Sequence, residues 1–289
     1  MVLETIVNEN NKKINQILQE NFEFSNRLFS KLLRNKRVKV DDKITDTRKI
    51  AKIGEKITID LDYEEENSNI ISKKMKLDIV YEDEGLLVIN KPAGIAVHPS
   101  ILHYEDSLAS GVKYYFEQNG IYKKIRPVNR LDLNTSGLIV FAKNEYIQEN
   151  LIRQMERNTF TKEYLAIVQG TLENEKGVIE LPIARKEKSI IERCVSENGQ
   201  KAITEYEVVK KLNGYSLIKC RLLTGRTHQI RVHMAYIGHP LLGDTLYGEK
   251  SDLINRQALH SFKISFIHPI TKKEIQLTSD IPKDFMKIL

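Results

Sequence analysis

The chain has 289 residues, 41% of them hydrophobic and 29% charged, which supports ordinary globular folding with material for one large domain and a small one, or for two of middling size. No run approaches the roughly 18 consecutive apolar residues that a membrane span needs, and Met1-Val2-Leu3-Glu4 lacks the basic region and apolar stretch of a secretory leader, so a cytoplasmic protein without membrane attachment is expected. The net charge of +6 and pI of about 9.0 permit a polyanionic partner, and the placement of the charge decides how far to take that.

Residues 11 to 24 carry Ile14, Ile17 and Leu18 at helical spacing, and Ser25 then reads as the N-cap of a second helix from Asn26 to Leu33, with Leu28, Phe29, Leu32 and Leu33 on its apolar side. A basic turn, Arg34-Asn35-Lys36-Arg37, leads into Val38-Lys39-Val40. Asp41-Asp42 marks a tight turn, and Ile57 to Leu61 alternates as a strand does. Between residues 27 and 49 the bases Arg27, Lys31, Arg34, Lys36, Arg37, Lys39, Lys43, Arg48 and Lys49 face only Asp41, Asp42 and Asp46, so this unit is more basic than the whole chain. The acidic, polar run Tyr63 to Asn69 reads as a linker. The expected division is a small basic domain over 1–65, a linker over 66–75 and a large domain over 76–289.

In the large domain Leu86 to Ile89 is a buried strand ended by Asn90-Lys91-Pro92, and Gly137 to Ala142 is another. A helix with Ile147, Leu151, Ile152 and Met155 on one face follows, then a strand from Tyr164 to Val168. Thr204 to Lys210 and Ser216 to Leu222 flank Asn213-Gly214, a hairpin signal, and Arg226 to Tyr236 reads as a helix with Ile230, Met234 and Ile237 facing inward. Hairpins and single helices alternate irregularly and no repeat is present. The expected class is therefore α+β with a mixed, mainly antiparallel sheet, not a doubly wound parallel one.

Cys194 and Cys220 form no CxxC or zinc pair, the seven histidines show no HExxH, and no GxxxxGK[ST] loop occurs, so no metal or nucleotide cofactor is expected. Polar residues crowd three places: the loop Arg126 to Gly137, which feeds a buried strand; Lys162-Glu163-Tyr164; and Thr224 to His233, where two arginines and two histidines lead into a helix. Each has an ordinary structural reading: Asp132 as a solvated turn residue, Tyr164 as core, the His228–His233 segment as a hydrogen-bonded helix start. On these residues alone the chain is a basic α/β enzyme or an RNA-binding protein.

Asn129-Arg130-Leu131-Asp132-Leu133-Asn134-Thr135-Ser136-Gly137 closely resembles the HRLDxxTSG signature of the RluA/RluD family of pseudouridine synthases. Asn90 to Pro99 resembles that family's KPxGxxVHP segment, Lys162 to Gly170 its KxYxAxVxG strand, and Thr224 to Met234 its GRTHQIRVHM segment. His239 to Gly248 fits as well, and all five occur in the family's order. The resemblance implies the family's catalytic fold, a mainly antiparallel sheet with flanking helices and a central cleft. It implies Asp132 as catalytic carboxylate, Arg226 as its ion-pair partner, and Tyr164 as the ring that stacks on the target base and helps remove its C5 proton. It also implies Arg130 as the side chain that fills the space left by a flipped nucleotide. Asn129, Thr135, His228, Gln229 and Arg231 complete the RNA-binding set. The family's usual histidine is Asn129 here; an amide still donates and accepts hydrogen bonds but does not titrate. The first 60 residues are similar to the small RNA-binding domain first known from ribosomal protein S-four, with Arg27, Lys31, Arg34, Lys36 and Arg37 as its RNA contacts, though Asp41-Asp42 stands where Asn-Gly is usual. The expected partner is RNA, ribosomal before transfer RNA, bound by a monomer. The rivals are an inactive RNA-binding protein on the same fold and a hydrolase pairing Asp132 with His228 or His233.

Overall fold

A computed structural model describes residues 1–99 and 105–289. The N-terminal part runs β1 (Val2–Ile6), α1 (Ile14–Phe22), α2 (Asn26–Arg34), β2 (Val38–Val40), β3 (Lys43–Ile44) and β4 (Lys56–Asp60). Its four strands form an antiparallel sheet in the order β1-β4-β2-β3. The Ser25 side chain accepts the Leu28 amide and caps α2, as its position predicts. Asp41 and Asp42 close the β2–β3 hairpin with φ of 46° and 62°, left-handed values that a short polar side chain tolerates. Strand β1 has a weak sequence signal because its alternation runs backwards for a surface strand: Leu3 is buried while Val2 and Ile6 are 51% and 66% exposed.

The large part continues with β5 (Ile79–Glu82), β6 (Leu86–Lys91), α3 (Leu108–Gln118), β7 (Arg126–Pro127), β8 (Ser136–Ala142), α4 (Glu145–Glu156), β9 (Thr161–Gln169) and β10 (Lys176–Glu180). After these come β11 (Ile183–Arg185), β12 (Arg193–Val195), β13 (Ile203–Lys211), β14 (Tyr215–Leu222), α5 (Gln229–Tyr236), β15 (Leu259–Ile267), β16 (Glu274–Thr278) and α6 (Lys283–Met286). One sheet runs β10-β13-β14-β9-β15-β8-β6-β5, with β16 on β15 and β7 on β8, while β11 and β12 make a separate ribbon. Every pairing in the large sheet is antiparallel except β15 with β8. The mainly antiparallel α+β expectation therefore describes the fold.

Strand β8 is buried along its whole length because the sheet is covered on both faces. Leu138, Val140 and Ala142 join Leu86 and Val88 in a core shared with α4 and the N-terminal unit; Ile139 and Phe141 join Leu87 and Ile89 against α3 on the other side. The seam between β8 and β15 is short, pairing Ser136 with His260 and Gly137 with Ser261. Gly137 has φ of 107°, and a Cβ there would collide with the Ser261 backbone, so glycine is required where the polar loop enters the sheet.

Helix α3 carries little sequence signal of its own. It holds Gly111 and the poor helix formers Tyr114, Tyr115 and Phe116, and its packing stabilises it: Gly111 lies where an added Cβ would be 2.9 Å from the Met75 Cβ. The run expected as a linker is exposed at Glu64, Glu66, Ser68 and Asn69 and held at residues between them. Glu65 is buried between Arg126 (2.7 Å) and Lys31 (3.2 Å), Asn67 bonds Lys123 and Ile125, and Lys113 donates to the carbonyls of Asn67 and Ile70. Charge alone reads as exposure; two cations converging on one carboxylate reverse that. The N-terminal unit also docks through Phe24, whose ring centroid lies 5.3 Å from that of Tyr146.

Candidate active site

The loop between β7 and β8 carries Asp132 to the mouth of the central strand, and β9, two places along the sheet, carries Lys162 and Tyr164 on one face because strand side chains alternate. With the segment before α5 they line a cleft of about 450 Å³ whose walls include Arg130, Asp132, Tyr164, His228 and Arg231.

The guanidinium on Asp132 belongs to Arg231, correcting the expectation of Arg226. Arg231 Nη1 donates to Asp132 Oδ2 at 3.0 Å, and its Nε and Nη2 make a bidentate pair with Asp244 at 2.7 and 2.9 Å. Asp244 is 1% exposed and also accepts the amides of Leu246 and Tyr247, so it is a fixed anchor. Arg226 turns away: its Nε donates to the Lys201 carbonyl (3.0 Å) and its Nη1 to Gln200 Oε1 (2.9 Å). The cause is where α5 starts. Arg226 to Tyr236 reads as one helix, but His228 has a left-handed φ of 58°, so the helix begins at Gln229. The Gln229 side chain holds the preceding loop by accepting the Arg226 amide and bonding Thr224. Arg231 then falls in the first helical turn, facing Asp132, and Arg226 precedes the helix at the cleft's edge.

Tyr164 is 4% exposed, and burial together with the nearby Asp132 charge pushes its phenol well above the usual tyrosine range, so it holds its proton at working pH. His228 Nε2 stands 3.8 Å from Asp132, too far for a hydrogen bond, and its Nδ1 contacts the Tyr247 hydroxyl at 2.8 Å. Burial lowers the His228 pKa, opposed by Asp132. His233 is fully buried between Thr204 and the Leu181 carbonyl and does not meet Asp132, so an Asp132–His233 pair is not formed.

Several residues expected on RNA hold the scaffold instead. Asn129 is buried, accepting the Val140 amide at 2.9 Å and facing the Leu138 carbonyl at 3.3 Å, so it pins the loop to β8 and needs no titratable nitrogen. Gln229 is 3% exposed with its amide on Ile203 and Thr204. Thr135 is buried, facing Gln257 at 3.3 Å. Arg130 is exposed at the rim and reaches Thr227. In the N-terminal unit Arg27 and Lys31 pair with Glu145, and Arg37 pairs with Asp60, which leaves Arg34 and Lys36 of that set without ion pairs among the described residues.

Three further candidates lie in segments the sequence marks, without a task for these residues. Asp244 sits in a matched motif without an evident task. Lys91 is fully buried, its Nζ donating to the carbonyls of Pro92, Ile95 and Leu133, so it ties the Asp132 loop to β6. Burial pushes its pKa down to about 7, while Asp132 favours its charge, and three carbonyl acceptors call for all three ammonium protons. Lys162 is 8% exposed in the cleft wall, and burial lowers its pKa.

Residues 85–236 match the family described as RNA pseudouridylate synthase. The chain is 40% identical over 290 residues to the Bacillus subtilis protein called uncharacterized RNA pseudouridine synthase YhcT, covering 99% of this chain and 96% of that one. It is 36% identical over 293 residues to ribosomal large subunit pseudouridine synthase D of Vibrio cholerae, covering 96% and 90%. The structure of human RNA pseudouridylate synthase domain containing 1 superposes with a TM-score of 0.59 at 28% identity, covering 71% of this chain and 83% of that one. Motif order, sheet and relatives agree: this chain belongs to the RNA pseudouridylate synthase family and is an RNA pseudouridine synthase.

Proposed function

We propose that the protein isomerises specific uridines of large-subunit ribosomal RNA to pseudouridine, with Asp132 as the reacting carboxylate. The observation that carries this is a carboxylate in the cleft, bound at 3.0 Å by Arg231, which is itself locked by buried Asp244, with Tyr164 beside it. A solvated turn residue needs no such support, and neither does a binding module. The ribosomal target follows the name of the Vibrio cholerae relative.

The reaction breaks the N1–C1′ bond, forms C5–C1′, releases the C5 proton and protonates N1, so no electrons or external groups enter. A carboxylate held by a permanent cation stays available to the sugar or the base as the glycosidic bond opens. Tyr164 enters as a phenol whose ring packs against uracil; it could accept the C5 proton only after losing its own, which burial opposes. The target base sits inside structured RNA, so it is flipped into the cleft, and Arg130 fills the space it leaves, a role its exposure at the rim supports. The N-terminal unit adds salt-dependent affinity through Arg34 and Lys36, in the manner of the S-four type domain it resembles.

RNA lacking the modification, tritiated at uracil C5, tests this. Wild-type protein releases tritium to water, and Asp132→Asn binds the same RNA without release. Release by Asp132→Asn at the wild-type rate removes Asp132 from the chemistry. Release from transfer RNA but not from ribosomal RNA overturns the substrate.

A further inference from the structure

The chain's arginines are mostly ion-paired: Arg27, Arg37, Arg48, Arg126, Arg153, Arg157, Arg221, Arg231 and Arg256 each meet a carboxylate. Arg34, Arg130, Arg185, Arg193 and Arg226 meet none among the described residues. Four of these five, all but Arg34, line one pocket of about 440 Å³ that holds no acidic residue. Chance spreads unpaired cations over a surface; their convergence is costly unless a polyanion completes it.

The ribbon of β11 and β12 builds this pocket. Its register sets Arg185 opposite Arg193, and Gln200 and the Lys201 carbonyl hold the Arg226 guanidinium at its edge. The pocket is joined to the cleft, sharing Arg130, Arg226 and Thr227 with it. It is also fixed relative to Asp132: the Arg193 amide donates to the Tyr247 hydroxyl at 2.8 Å, the same hydroxyl that contacts His228, and Tyr247 lies under the Arg231 guanidinium at 5.0 Å. A chain of direct contacts therefore links ribbon and cleft, so that an RNA strand engaged by one is in register with the other.

We infer that the pocket of Arg185, Arg193 and Arg226, which Arg130 borders at the rim shared with the cleft, binds phosphodiesters of the strand flanking the target nucleotide, and so sets how far the RNA must extend beyond the uridine. This rests on the uridine-isomerising reading of the cleft. Guanidiniums suit phosphate oxygens because they donate bidentately and stay charged. No base-reading set accompanies them, so the contribution is to affinity and register, not to sequence choice. Arg226 finds its use here, outside the reacting centre.

The test compares wild type with Arg185→Ala/Arg193→Ala, using in vitro transcribed large-subunit ribosomal RNA fragments tritiated at uracil C5. Two lost phosphate contacts lower the salt slope of binding by about 1.5 and weaken affinity roughly tenfold at ordinary salt. The rate of tritium release at saturating RNA stays at the wild-type value, and Arg185→Lys/Arg193→Lys restores most of the slope. An unchanged slope and affinity in the alanine variant, with an unchanged circular dichroism spectrum, overturns the inference. A fall in the saturated rate with affinity intact overturns it too. If wild type releases no tritium, the uridine reading fails, while the salt slope still decides the pocket.

Discussion

Replacing Arg231 with lysine, set beside Arg226→Ala, separates the arginine that meets Asp132 from the one expected there. The Arg231 guanidinium makes three charge-assisted bonds, two to Asp244 and one to Asp132, with its side chain 8% exposed. A lysine ammonium keeps the charge but does not span both carboxylates, so one of them loses its partner. Breaking a buried pair costs about 3–5 kcal/mol; the retained charge and the amides that Asp244 still accepts put the expected loss near the lower end, about 3 kcal/mol. Asp132 also loses a preorganised cation, and by analogy with removed transition-state donors the rate falls about 10²–10³-fold. Chemical denaturation measures the first loss and tritium release at saturating RNA the second. Arg226→Ala, whose bonds go to an exposed side chain and one carbonyl, keeps the saturated rate and raises KM. A normal rate for Arg231→Lys, or a collapse of the saturated rate in Arg226→Ala, would refute the geometry.

His260 lies between the hydroxyls of Ser136 and Ser279, and burial lowers its pKa from 6.5 to about 4. The unfolded chain thus binds more protons between these values, so this stability is complete above pH 6.5 and is lost as pH falls towards 4. It amounts to about 3 kcal/mol, and His260→Gln should flatten that part of a stability–pH curve. Gly137→Ala should cost at least about 3 kcal/mol, since a positive φ and a backbone collision coincide; a change under about 1 kcal/mol in urea unfolding would contradict the seam between β8 and β15. Phe24→Ala should lose about 3–5 kcal/mol and loosen α4 as well as the N-terminal unit in hydrogen exchange; loosening confined to residues 1–60 would mean the two parts do not share a core. Lys162→Gln should weaken RNA binding without altering the fold, because among the described residues the ammonium's one hydrogen-bond contact is the Met155 sulfur at 3.7 Å; unchanged affinity would show that it does not face RNA.

Much of the framework was legible in the sequence. Ser25, the Ile14–Leu18 stripe, the Asn213-Gly214 hairpin and the apolar runs at Leu86 and Gly137 are local signals, because caps, turns and periodicity are set by a residue and its near neighbours. The matched motifs likewise located Asp132, Tyr164 and the α5 segment from the chain alone. What the sequence could not decide was who meets whom. Arg226 and Arg231 lie in one motif and are chemically alike; a left-handed residue at 228 and the start of α5 at Gln229 decide which one meets Asp132. Asp244 becomes an anchor, Glu65 a buried carboxylate and Asn129 a clamp on β8 only once distant segments pack together. The four arginines of the outer pocket lie as far apart as residues 130 and 226, and their lack of acidic partners is a property of the assembled surface. Local free energies are written in short stretches of sequence; the pairing of charges depends on separations that only the tertiary fold sets.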